Sequence, residues 1–104
     1  MPEIDRSAAE LDLKFVSGDD FSINIGFPEE ITGDIFLAGI VKNNEPVVSF
    51  TLASTSTASL GTVNILLTDI QTAELFGAYD WYFERTRGTE TRTLIAGRVG
   101  VVRR

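Results

Sequence analysis

The stretch TDIQTAELFGAYDW, residues 68–81, is where the chain stops alternating apolar and polar residues. Thr68 followed by Gln71 fits a capping box, with the threonine hydroxyl accepting from the third helical amide and the glutamine reaching back. Asp69 in the first turn suits the helix dipole. Ile70, Ala73 and Leu75 are spaced to face inward, and Gly77 is a natural left-handed stop. The spacing predicts one short helix over about 69–76. Two turns alone are unstable in water, so packing must hold them. Tyr79 follows directly, where an immunoglobulin-like sandwich places the tyrosine corner that ties down the passage between its sheets. Tyr79, Trp81 and Phe83 share one strand face, and Tyr82 lies on the other. Thr68, Gln71, Gly77, Tyr79 and Trp81 are therefore expected to form a structural corner.

Outward from this corner the sequence reads as strands. LDLKFV (11–16) sets Leu11, Leu13 and Phe15 against Asp12 and Lys14. FSINIGF (21–27) alternates strictly, with Phe21, Ile23, Ile25 and Phe27 on one face. IFLAGIVKN (35–43) is apolar on both faces and reads as a central or doubly covered strand. Lys42-Asn43-Asn44-Glu45-Pro46 closes a hairpin to VVSFTLA (47–53), and STSTASLG (54–61) reads as a polar loop. TVNILLT (62–68) precedes the corner. AYDWYFERT (78–86) and TRTLIAGRVGVV (91–102) form a hairpin around Gly88, with Gly97 and Gly100 marking a bulge or a close backbone approach. Seven evenly spaced strands predict an all-β, immunoglobulin-like antiparallel sandwich, with a small Greek-key barrel as the competing architecture. Residues 1–10 read as an N-terminal arm and 11–104 as one domain.

A chain of 104 residues buries roughly 65% of its unfolded surface, enough for a core without staples. There is no cysteine, hence no disulfide framework and no thiolate zinc site. No apolar run approaches the ~20 residues of a membrane helix, and the acidic start MPEIDRSAAELDLKF is no signal peptide. The net charge of −6 disfavours nucleic-acid and anionic-membrane partners. Acids crowd the first third (Glu3, Asp5, Glu10, Asp12, Asp19, Asp20, Glu29, Glu30, Asp34), and arginines crowd the end (Arg85, Arg87, Arg92, Arg98, Arg103, Arg104). That asymmetry is either ordinary surface charge or the sign of a polar subunit whose faces meet in neighbouring copies.

Histidine is absent, which excludes Ser-His catalysis and imidazole metal sites. Paired carboxylates remain a route to glycoside hydrolysis, but Asp19/Asp20, Glu29/Glu30 and Asp80/Glu84 sit in turns or on strand surfaces without a favouring spacing. Asp19, Asp20, Glu29, Glu30 and Asp34 are the candidate calcium ligands, on the expectation that their two loops share one end of the sandwich. Trp81 with Tyr82 is the candidate carbohydrate platform, weakened because alternation separates the two rings. No phosphate-binding glycine loop is present. No cofactor is expected, and the protein reads as a non-enzyme.

Three blocks carry a resemblance: LDLKFVSGDDFSI (11–23), GTVNILLTDIQTAELFGAYDW (61–81) and RTLIAGRVGV (92–101). In order and spacing they resemble a family of tailed-bacteriophage structural modules, the N-terminal domains of phage baseplate upper proteins. The resemblance covers about residues 11–102 and implies an immunoglobulin-like sandwich with a role in virion structure. Family members continue into a stalk that carries receptor-binding proteins. With the chain ending at Arg104, the expectation is a small docking or decoration module of the tail, baseplate or capsid, assembled in the host cytoplasm. Its expected partners are other phage structural proteins, of the tail or baseplate or the major capsid protein, and copies of itself. The terminal residues Ile4, Asp5, Arg6, Arg98, Arg103 and Arg104 are the interface candidates. The alternative function is a glycan- or calcium-binding adhesion sandwich for host attachment.

Overall fold

Alternating apolar residues demand a shared dry face, and two sheets provide it. The computed structural model describes residues 9–57 and 60–103, which form β1 (Ala9–Glu10), β2 (Leu13–Val16), β3 (Phe21–Phe27), β4 (Ile35–Lys42), β5 (Glu45–Ser49), β6 (Thr51–Ser56), β7 (Gly61–Leu67), α1 (Asp69–Ala73), β8 (Gly77–Arg87) and β9 (Glu90–Val102). The larger sheet runs β1-β9-β8-β4-β5, with β2 also on β9, and the smaller runs β3-β7-β6. This is the all-β sandwich that the strand pattern predicts.

The core lies between the sheets. Val63, Ile65 and Leu67 of β7 face Ala38, Ile40, Trp81, Phe83, Val99 and Val101 of the larger sheet, all buried. Phe36 and Phe83 stack with centroids 5.6 Å apart, and Phe50 meets Trp81 edge-on at 5.9 Å. Such aromatic pairs add roughly 0.5–1.5 kcal/mol beyond their buried area.

Several expectations are refined by the tertiary structure. The pairing is not purely antiparallel: β1 and β2 run parallel to β9, Ala9 opposite Ile95 and Leu13 opposite Val99. Ala9 and Glu10 thus belong to the sheet and not to an arm. The two segments are one edge strand interrupted at Leu11–Asp12. There the Leu11 carbonyl accepts from the Trp81 indole N–H at 2.7 Å, the Leu11 amide donates to Ala96 O at 3.1 Å, and Asp12 Oδ1 accepts from the Arg98 amide at 3.0 Å. A Cβ on Gly97 would stand 2.1 Å from the Leu11 oxygen, so only glycine fits. Leu11, expected to be in the core, is exposed. The β8–β9 register shifts between Phe83 and Glu84, so the bulge is at Leu94 and not at either glycine.

The strand expected over 47–53 is split. Residues before Phe50 pair with β4, and residues after it pair with β7. The Phe50 amide still donates to Ala38 O at 3.0 Å while its ring enters the core, so the chain changes sheets at this residue. The segment 54–56, expected as loop, extends β6. The turn between β4 and β5 holds Asn43 and Asn44 at φ of 53° and 66°, the left-handed pair that a two-residue hairpin requires.

Candidate functional site

The corner forms as a capped helix and a tyrosine tie. Thr68 Oγ1 accepts from the Gln71 amide at 3.2 Å, and Gln71 Oε1 accepts from the Thr68 amide at 2.9 Å, which completes the capping box. The helix stops at Ala73 with Glu74 as its cap, three residues short of expectation. Gly77 adopts φ of 104°, yet it opens β8 instead of ending the helix. The inward residues also differ. Ile70 is 76% exposed and Ala73 is exposed, whereas Thr72 and Leu75 are buried. The reason is a polar anchor: Thr72 Oγ1 donates to Asp19 O at 2.7 Å and accepts from the Gly18 amide at 3.0 Å. Asp20 Oδ1 accepts from the Asp69 amide at 2.8 Å. These bonds orient five helical residues that have too few apolar contacts to orient themselves.

Tyr79 completes the corner. Its hydroxyl accepts from the Phe76 amide at 3.1 Å and donates to the Phe76 carbonyl at 3.2 Å. Trp81 is 2% exposed and Phe83 fully buried. Tyr82 covers Gly39 on the opposite face of the sheet, where a Cβ would meet the tyrosine hydroxyl at 3.2 Å. Trp81 and Tyr82 therefore build no joint platform for a sugar.

The candidate calcium ligands do not converge. Asp19 and Asp20 precede β3, whereas Glu29, Glu30 and Asp34 follow it. A seven-residue strand separates the two loops by about 20 Å. The expectation of a shared end is corrected on that ground. Among the described residues no group of three or more acidic side chains is gathered for a metal.

The second loop instead meets the arginines. Arg87 Nε and Nη2 bond Asp34 Oδ1 and Oδ2 at 3.0 and 2.8 Å, a two-pronged pair. Arg87 Nη1 lies 3.4 Å from Glu29 Oε1, and Arg85 Nη1 lies 3.3 Å from Glu29 Oε2. Arg87 Nη2 also donates to Glu30 O at 3.3 Å. The hydrogen bond from Arg87, reinforced by the charges of Arg87 and Arg85, holds the Asp34 carboxyl below the usual carboxylate value. The same bond raises the Arg87 guanidinium. The Asp34 side chain is 4% exposed, but Arg87 is half in water, so this cluster is a modest tie between the β3–β4 loop and the β8–β9 hairpin. Acids of the first third and arginines near the end of the sequence thus meet within one chain here.

Of the interface candidates, Arg98 stands exposed on the outer face of the larger sheet, across from Asp80. It lines an open cleft with Lys42, Asn43, Ala78 and Tyr79. The Arg103 guanidinium stacks 4.1 Å from the Phe76 ring centroid. Ile4, Asp5, Arg6 and Arg104 lie outside the described residues, as does most of the expected arm.

One feature escaped sequence reading: β3, β6 and β7 contain no charged residue. The signal was present as the uncharged run from Phe50 to Thr68. On the outer face Asn64 Nδ2 donates to Ser22 Oγ at 3.0 Å and to Asn24 Oδ1 at 2.9 Å, a neutral polar ladder. Among the described residues, the outer edges of β3 and β6 have no paired strand. No protein-family model matches this sequence, and a search of curated proteins finds no significant match.

Proposed function

We propose that this protein is a non-enzymatic structural module of a tailed-phage virion, a docking or decoration unit of the tail, baseplate or capsid. The reading rests on the resemblance of its three sequence blocks to phage baseplate modules. The observation that supports taking them together is their convergence in space. The first block supplies Gly18 and Asp19 to Thr72 of the second, and Leu11 to Trp81. Gly97 of the third packs on Leu11 of the first. Residues that carry the resemblance are thus mutual partners in one structural unit. The outer surface is left to partners, through open sheet edges and the charged outer face around Asp80 and Arg98.

Deleting the gene and purifying the resulting particles tests this. The expected outcome is failed assembly, or loss of particle integrity on heating or dilution, restored by the gene in trans. Particles of unchanged composition, yield and stability sink the proposal.

A further inference from the structure

The β3 strand reads F-S-I-N-I-G-F, which is nearly the same in both directions about Asn24. It is an edge strand, paired with β7 alone among the described residues. It carries no charge, no proline and no bulge, the devices that normally keep an edge from recruiting another strand. Its inward side chains Phe21, Ile23, Ile25 and Phe27 are only half-buried, while Val63, Ile65 and Leu67 on the adjoining strand are fully covered. The flank of β3 therefore has both backbone groups and apolar surface to offer.

We infer that β3 pairs with β3 of a second copy of this chain, antiparallel about a two-fold axis through Asn24, joining two three-stranded sheets into one of six strands. Such an isologous contact sets each residue against a defined residue of its copy. Phe21 then faces Phe27 of the second copy, Ile23 faces Ile25, Ser22 faces Gly26, and Asn24 faces itself. Apolar residues meet apolar residues on the inner face, and small neutral ones meet on the outer.

The flanking acids select this register. A shift of two residues in either direction brings Asp19 opposite Phe27, or Glu29 opposite Phe21. A shift of one residue turns the apolar face to water. In the centred register Asp19 and Glu29 face each other only beyond the strand ends, and Glu29 is already paired with Arg85 and Arg87.

Charge also bears on where two copies can meet. Each chain carries −6, so two copies repel over most of their surface, and the uncharged sheet is where they approach with least repulsion. Added salt is therefore expected to strengthen this contact, whereas it would weaken docking of an acidic surface on a basic one. The inference deepens the assembly reading by naming one surface and one partner, and it rests on that reading only for its biological setting. It is tested on the purified chain, so its failure is distinct from failure of the particle experiment.

The test is sedimentation of the full-length protein from about 10 μM to about 1 mM, where a small single-edge interface is expected to become populated. The mass should rise from 11.4 kDa toward twice that value, at lower concentration in high salt. Asn24→Lys and Asn24→Asp each set like charges on the axis and should weaken the dimer about tenfold or more. An equimolar mixture of the two should restore it. Asn24 is exposed, and circular dichroism checks that both variants fold.

A second pair uses Gly26, where a new Cβ meets nothing within 4 Å. Ser22→Lys with Gly26→Lys should abolish dimerisation, and Ser22→Glu with Gly26→Lys should keep it. A wild-type chain that stays monomeric at the highest concentration overturns the inference. That includes a monomer whose β3 amides resist exchange because residues 1–8 of the same chain cover them. A dimer indifferent to these substitutions, or not restored by the mixture, overturns it equally.

Discussion

At the scale of single residues, Gly97 and Asp34 carry constraints that are visible only in their surroundings. Gly97 lies under the Leu11 carbonyl, which also takes the Trp81 indole proton. Gly97→Ala is expected to destabilise the fold by more than about 2 kcal/mol, because the clash is with backbone that cannot swing aside. Gly100→Ala, with open space around its Cβ, should stay within about 0.5 kcal/mol. Urea titrations followed by Trp81, the only tryptophan, measure both. Equal effects would show that Leu11 is not held against β9.

Asp34 sets an acid limb. Its folded pKa lies below the unfolded value because Arg87 donates to its charged form. The stabilisation is therefore complete above about pH 4 and is lost as pH falls through the lower folded value. Urea midpoints from pH 7 to pH 2 should fall less steeply for Asp34→Asn than for wild type. Parallel curves would remove Asp34 from the acid transition.

At the scale of elements, α1 shows how polar contacts orient a helix too short to orient itself. Thr72→Val keeps the shape but removes the bonds to Asp19 O and from the Gly18 amide, at an expected cost of about 2 kcal/mol. Thr68→Ala removes one half of the capping box and should cost about 1 kcal/mol. Ile70→Lys, on the exposed side, should be near neutral. Thermal melts of the three variants check this order, and a large loss from Ile70→Lys would restore the inward assignment that spacing alone suggests. The apolar period failed here because five helical residues contain barely one turn, which is too little for a face to be defined.

At the scale of the whole molecule, β3 keeps the acidic loops apart. Calcium at millimolar concentration is therefore expected to shift the melting temperature by less than about 1 °C. A shift of several degrees, reversed by a chelator, would require a site formed in some other way. The same geometry ties the β3–β4 loop to the β8–β9 hairpin through Arg85 and Arg87. The larger sheet is left with charges of both signs on its outer face, while the smaller sheet has none. The two outer faces thus differ in chemistry, one charged and one neutral.

Local features of this protein were legible from sequence because their partners are close along the chain. Strict alternation in Phe21–Phe27 named a strand and its inward face. Thr68 with Gln71 named the helix start, residues 42–46 a hairpin, and Tyr79 a corner whose hydroxyl returns three residues to Phe76. Tertiary structure alone decided what depends on distant contacts. The parallel pairing of residues 9–16 on β9, the change of sheet at Phe50 and the burial of Thr72 instead of Ile70 arise from partners far along the chain. So do the meeting of Asp34 with Arg87 and the separation of the two acidic loops. Alternation tells a strand which face is dry, but it holds no information about which strand lies beside it. That choice is made by packing and backbone pairing across the folded molecule.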